Sequence, residues 1–186
     1  MSGGTRQIVW RGLDGWRAEA SEVELAEGRL SARGTQIGAD PHPYRLEYEL
    51  DTADGWVTRS LVLNAFGDGG TRTLDLRRAE DGSWAANGEP LPDVEGALDC
   101  DLGLCPLTNT MPVMRHRLLE SGAGPHDFVM AWVAVPELTV HRSEQRYEPI
   151  DARTVRYVGK HRDFVGELTF DDDGLVVHYP ELAERV

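Results

Sequence analysis

From Tyr44 to Asp51 the chain alternates at every position, with Tyr44, Leu46, Tyr48 and Leu50 set against Arg45, Glu47, Glu49 and Asp51. A helix would place Glu47 and Asp51 on the face of Tyr44, because side chains three, four and seven positions apart share one helical stripe. An extended strand separates the two sets, giving one aromatic, apolar face and one charged, wet face. Much of the chain follows the same rule. Trp56 to Asn64 reads as a second strand after the turn Thr52-Ala53-Asp54-Gly55. Thr71 to Arg78 and Ser83 to Ala86 flank Glu80-Asp81-Gly82, and Asp-Gly between strand-like runs is a hairpin signal.

Phe128 to Val135 is an unbroken apolar run whose β-branched content predicts a strand buried on both faces, ended or bulged by Pro136. Glu137 to His141 resumes it, Thr154 to Val158 is a further short strand, and Glu167–Phe170 with Leu175–Tyr179 forms a closing hairpin around Asp171-Asp172-Asp173-Gly174. Ala18 to Leu30 is the stretch most open to a helix, although Val23 and Leu25 favour strand spacing; Val113 to Glu120 fits either, and Pro180 to Val186 reads as one or two helical turns. Short strands separated by frequent turns predict an all-β chain with at most short helices: a curved antiparallel sheet, barrel or sandwich. No repeat or linker divides it, so residues 1–186 are expected to form a single domain.

Composition narrows the partners. The net charge is −13 with a pI near 4.8. Nucleic acid and anionic membrane surfaces both need clustered cations, so neither is expected. A neutral, cationic or apolar small ligand fits this acidic protein better, although solubility alone would also account for the charge. The one lysine, Lys160, is the sole candidate for Schiff-base chemistry. The N-terminal stretch through Trp10 lacks the apolar run of a signal peptide, and nothing approaches the ~18 apolar residues of a spanning helix. With Cys100 and Cys105 expected as free buried thiols, the chain reads as cytoplasmic.

One segment stands apart from the strand pattern. Leu98-Asp99-Cys100-Asp101-Leu102-Gly103-Leu104-Cys105-Pro106-Leu107-Thr108-Asn109-Thr110-Met111-Pro112-Val113-Met114-Arg115 places carboxylates, a Thr-Asn pair and an arginine around two prolines. Proline fixes φ and withholds a backbone donor, so the segment should resist both helix and central strand. Asp101 and Arg115 admit two compatible roles here. They can form an internal ion pair that braces the loop, with Asn109 in an Asx-turn. They can also form a polar site with Thr108 and Asn109, in which a guanidinium holds an anion and amide or hydroxyl groups meet hydroxyls. Trp56, Trp84 and Trp132 lie in strands, where they fill a core or line a cavity.

Competing motifs fail on spacing. Aligning Gly174 to the sixth place of a calcium loop puts Thr169 first and Pro180 twelfth, so the Asp run reads as a solvated turn and not a metal site. Cys100 and Cys105 are too far apart for C-x-x-C, and the six histidines (42, 116, 126, 141, 161, 178) form no zinc signature. No phosphate loop, dinucleotide fingerprint or nucleophile elbow occurs, so no cofactor and no catalytic residue is expected.

The segment, followed by Trp132-Val-Ala-Val-Pro136-Glu-Leu-Thr-Val140 and Gln145-Arg-Tyr147, resembles the bacterial putative glycolipid-binding family, formerly of unknown function. That family carries Asp-x-Asp, Pro-x-Thr-Asn-Thr-x-Pro, a following arginine, Val-Pro-x-Leu and Gln-x-Tyr. Trp10, Trp56-x-Thr58-Arg59 and the stretch Phe170 to Pro180 match its two ends. The resemblance implies an open, strongly curved antiparallel β-barrel, similar to bacterial lipoprotein carriers. It also implies non-enzymatic binding of a lipid-like or glycolipid-like amphiphile in a β-cavity. Asp101, Thr108, Asn109, Arg115, Gln145 and Tyr147 would then meet the polar end, and Trp56 and Trp132 the apolar part. Two alternatives remain open at this point: an enzyme acting on a small hydrophobic metabolite with Asp101 as acid or base, and a structural or interaction module.

Overall fold

The computed structural model describes residues 4–160 and 164–186. The chain begins with a meander: β1 (Gly4–Gly12), β2 (Arg17–Ala26), β3 (Arg29–Gly38), β4 (Tyr44–Ala53), β5 (Val57–Gly67), β6 (Gly70–Arg78), β7 (Trp84–Ala86) and β8 (Glu89–Pro90). A short strand, β9 (Asp99–Leu102), and a six-residue helix, α1 (Thr110–Arg115), follow. A second meander then runs through β10 (His126–Val133), β11 (Val140–Pro149), β12 (Thr154–Gly159), β13 (Phe164–Phe170), β14 (Val176–Tyr179) and β15 (Ala183–Arg185).

Among the described residues, fifteen strands form one sheet, in the order β8-β7-β6-β5-β4-β3-β2-β1-β15-β14-β13-β12-β11-β10-β9. Consecutive strands pair antiparallel across short turns, as expected of meanders. The exception is β9, which lies parallel to β10 with Asp101 opposite Trp132. The halves join where β15 pairs with β1, Trp10 opposite Arg185. That pairing corrects the helical reading of 180–186: three residues can hold a strand when a neighbouring edge supplies the hydrogen bonds. The fold is mostly β, as the alternation requires. It is not the strongly curved barrel of the expectation, because the ends β8 and β9 do not pair and the sheet is not closed or strongly curled.

The alternation sorts as physics demands: Tyr44, Leu46, Tyr48 and Leu50 are buried on β4, while Arg45, Glu47, Glu49 and Asp51 point to the wet face. Two apolar clusters form the core. One gathers Trp10, Val23, Leu46, Leu61 and Leu76 from the first meander, and the other Phe128, Met130, Tyr147, Leu168 and Phe170 from the second. The run 128–133 has cover on both sides, since Phe128 and Met130 enter one cluster while Ala131 and Val133 enter the other. Segment 98–118 bridges the two, with Leu107 and Met111 in the first cluster and Val113 and Leu118 in the second.

A glycine fixes one detail that matters below. The Tyr48 ring lies across Gly34, where a Cβ would stand 2.3 Å from the ring. The space is needed because these residues are directly paired between β3 and β4. Gly34→Ala is expected to push Tyr48 off its position and to cost about 1–3 kcal/mol, the usual range for overpacking. Urea denaturation reads the loss, and an unchanged midpoint would show that the ring is free to move.

Candidate functional site

The proline-bounded segment is a buried core element and not an outer wall. Asp99, Cys100, Leu102, Cys105 through Thr110, Met111 and Val113 are all buried. Its chain folds back on itself: β9 runs in beside β10, a 3-10 turn spans Pro106–Asn109, and α1 carries Arg115 back to β9. The helix that proline was expected to prevent forms because Pro112 sits at its third position, where the missing N–H has no intrahelical partner to lose.

This return decides the pairing of charges. Asp99 and Asp101 share one face of β9, two positions apart. Arg115, at the end of α1, comes down on Asp99 with a bidentate contact, Nη1–Oδ1 2.6 Å and Nη2–Oδ2 2.5 Å. The expected alternative, an ion pair from Arg115 to Asp101, does not form. Burial pushes the Asp99 carboxyl up, and the Arg115 guanidinium offsets part of that push. Arg115 also lies 3.5 Å from the backbone carbonyl of Trp56 and stacks over Phe128. Arg115 and Trp56 therefore brace the core, and neither lines the cavity described below.

Asp101 sits at the other end of the strand and enters a separate network. Thr108 Oγ1 donates to its Oδ1 at 3.2 Å, and Gln145 Nε2 donates to its Oδ2 at 2.5 Å. Tyr147 donates its hydroxyl to Asn109 Oδ1 at 2.8 Å, with Gln145 Oε1 at 3.3 Å. Asn109 Nδ2 in turn donates to the Pro106 carbonyl at 3.0 Å. Burial pushes the Tyr147 phenol far above its ordinary value, so it stays a donor and holds the Asn109 amide in one orientation. Residues from β9, the 3-10 turn and β11 are thus fixed against one another by charge-assisted and neutral hydrogen bonds.

The network faces a cavity of about 360 Å³, lined by Asp101, Asn109 and Gln145 together with Trp132, Tyr157 and Tyr179. Room beside Gln145 comes from its partner across the β11–β12 ladder, Gly159, which presents no side chain. Leu102, Leu104 and Leu182 supply apolar wall, and Cys105 also lines the floor. Of the residues expected to form a site, Asp101, Asn109, Gln145 and Trp132 meet on this cavity. Thr108 and Tyr147 stand behind it as supports, and Arg115 and Trp56 lie elsewhere. A larger groove of about 520 Å³ crosses the outer face of β2–β5, but its walls are solvated side chains such as Glu22, Arg33, Glu47 and Glu49.

One buried carboxyl is not conspicuous in the sequence. Glu19 is buried on the inner face of β2. Its Oε1 accepts from Tyr48 (2.7 Å), Ser21 (3.1 Å) and Cys105 (3.1 Å), and its Oε2 accepts from Gln36 (2.9 Å). Burial raises its pKa, and the four hydrogen bonds work against that rise. Its parity with Val23 and Leu25 was the available signal: on a strand, side chains two apart share a face. Because Cys105 also touches the cavity, Glu19 buttresses the floor from below. Both cysteines are free and buried, and burial raises both thiols, Cys100 to about 12. Such thiols are poor nucleophiles. Among the described residues no cluster of three or more metal-ligating side chains occurs, and His161 lies outside them.

Comparison with known proteins places this arrangement. The crystal structure of a DUF1089 family protein (PA1994) from Pseudomonas aeruginosa is similar, with a TM-score of 0.77 and 28% sequence identity. The match covers 90% of this chain and 92% of that one. No curated protein matches. The model of the putative glycolipid-binding family matches residues 7–185, which takes in β9, α1, β11 and the cavity they build. By that match, spanning nearly its whole length, the chain belongs to the putative glycolipid-binding family.

Proposed function

We propose that the protein binds, without converting it, the polar head of an amphiphilic, glycolipid-like molecule in the cavity beside β9 and β11. One observation carries this reading: a carboxylate and two amides, locked by partners behind them, stand on the same wall as Trp132, Tyr157 and Tyr179. A sugar offers hydroxyls that donate and accept, and apolar ring faces that lie on aromatic side chains. Pre-orientation by Thr108 and Tyr147 lowers the ordering cost of binding. The lining sets Asp101 against Arg142, with His141 beside them, so it carries no acidic or basic excess and suits an uncharged head. For the enzymatic alternative, Asp101 does stand on the cavity and apart from Arg115, but both its oxygens already accept hydrogen bonds, from Thr108 and Gln145.

Octyl glucoside, kept below its micelle-forming concentration, is a suitable probe. Saturable binding by calorimetry is expected, and Asp101→Ala should weaken it about ten-fold or more, as for loss of a hydrogen bond to a charged group. Protein purified from its own host should also carry a bound amphiphile in native mass spectrometry. A clean apo mass, with no saturable binding across a panel of glycosides, refutes the proposal.

A further inference from the structure

Four buried side-chain atoms have no hydrogen-bonding partner among the described residues. Thr110 Oγ1 and Arg115 Nε belong to α1, whereas Gln36 Oε1 and the Tyr44 hydroxyl lie on β3 and β4 near the Glu19 carboxyl. Gln36 is 0% and Tyr44 6% exposed, so neither group is met by bulk solvent. Stranding a buried polar atom costs about as much as losing a hydrogen bond, and folded cores satisfy nearly all of them from the chain or from a bound molecule.

Register places the two atoms together. Across β2, β3 and β4 the inward rows are Arg17–Gly38–Tyr44, then Glu19–Gln36–Leu46, then Ser21–Gly34–Tyr48. In the last row the Tyr48 ring crosses Gly34, and its hydroxyl reaches Ser21 and Glu19 on β2. The first row repeats that arrangement. A Cβ on Gly38 would stand 2.5 Å from the Tyr44 ring and 3.0 Å from its hydroxyl, so the hydroxyl is held over β3, one inward position from Gln36. Its surroundings agree: burial pushes the Tyr44 phenol up to about 12, Arg17 opposes the rise, and the Glu19 and Asp14 charges add to it.

Hydrogen-bond capacity selects the occupant. Gln36 Nε2 donates to Glu19 Oε2 at 2.9 Å, which leaves Gln36 Oε1 as an acceptor in need of a donor. Glu19 Oε1 takes the bonds from Tyr48, Ser21 and Cys105, so Oε2 has room for a second donor. The protonated Tyr44 hydroxyl needs an acceptor. Two acceptors and one donor match the capacity of a single water molecule. A cation suits the place less, since it offers nothing to accept the Tyr44 proton and would sit close to the Arg17 guanidinium. We infer that one internal water binds on the far side of Cys105 from the cavity, accepting from Tyr44 and donating to Gln36 Oε1 and Glu19 Oε2. Cys105 both lines the cavity and donates to Glu19 at 3.1 Å, so the water extends the polar support of the floor back to β4. The site stands whether or not the cavity takes a sugar head.

Urea unfolding of the full chain tests this through a double-mutant cycle. Tyr44→Phe keeps the ring over Gly38 and should lower the folding equilibrium constant about five-fold, the effect of losing a typical hydrogen bond. A hydroxyl with no partner would give no loss or a gain, because its removal relieves a stranded group. Tyr44→Phe combined with Gln36→Leu should lose about five-fold less than the product of the two separate losses, since either change alone releases the shared water. Oxygen-17 relaxation dispersion, which detects water held inside a protein, should show one long-lived molecule fewer in Tyr44→Phe than in the wild type. A crystal structure of the wild type carries the test if a variant fails to fold: density for a water within hydrogen-bonding distance of both Gln36 Oε1 and the Tyr44 hydroxyl is expected. Empty density there, independent effects in the cycle, or an unchanged count of internal water overturns the inference. So does a wild-type stability that rises with sodium or potassium at fixed ionic strength, which would put a cation in the site.

Discussion

Arg115→Met is expected to destabilise the protein by about 3–5 kcal/mol, the usual cost of stripping one partner from a buried ion pair. The Asp99 side chain is 1% exposed and that of Arg115 11%, so water cannot replace the lost guanidinium. Without it, Asp99 must remain charged in the core or take up a proton, and both cost free energy. For a domain of this size each kcal/mol shifts the melting temperature by roughly 2–4 °C. A fall of roughly 6–20 °C is therefore expected, with a matching drop in the urea midpoint. Adding Asp99→Leu to Arg115→Met should recover most of it, because a well-packed apolar pair can replace a buried ionic one. A single-variant loss under about 1 kcal/mol would place the pair in the surface class and end the claim that it braces the core.

Glu19→Ala should cost about 2–4 kcal/mol, combining a small cavity with the stranding of Cys105 and Gln36 donors. Tyr48 and Ser21 retain each other at 2.6 Å, which limits the loss. Glu19→Gln should be much milder. The Gln36 Oε1 is buried without a partner, and rotation of its amide would let it accept from the new side chain. The pH dependence then isolates the carboxyl. Folding raises the Glu19 pKa above its ordinary 4.5, chiefly by burial, so the native state binds the proton more tightly than the unfolded chain. Its contribution to stability is fully present below 4.5 and is lost as pH rises from there through the folded-state value. Wild-type stability should accordingly fall relative to Glu19→Gln across that interval and run parallel to it above. Urea unfolding at a series of pH values measures both curves, and parallel curves throughout would show that Glu19 titrates normally.

The hairpins were legible because they are local: period-two alternation and Asp-Gly turns act within a few residues. Legibility failed where a strand depends on a distant partner. Ala183–Arg185 has no pattern of its own and is a strand because β1 presents a free edge. Ala18 to Leu30 looked ambiguous because Glu19 and Ser21 occupy inward positions that an apolar pattern leaves for hydrophobic side chains. The candidate site was half legible. Asp101, Asn109, Gln145 and Trp132 stand out as polar and aromatic groups in an unusual order, and they do converge. Arg115 was equally conspicuous, but no spacing tells whether it meets Asp99 or Asp101.

Local patterning was enough to show that the chain forms strands, which faces they bury, and that the segment from Leu98 to Arg115 departs from that pattern. Periodicity and proline act through the local backbone, so no tertiary contact is needed to read them. Long-range packing set the rest: that this segment is buried between the two apolar clusters, that Arg115 neutralises Asp99, and that Glu19 is buried against Cys105. Those outcomes depend on which groups share a low-dielectric interior, and that is set by chain segments far apart in sequence, 16 residues apart for Arg115 and Asp99 and 86 for Glu19 and Cys105.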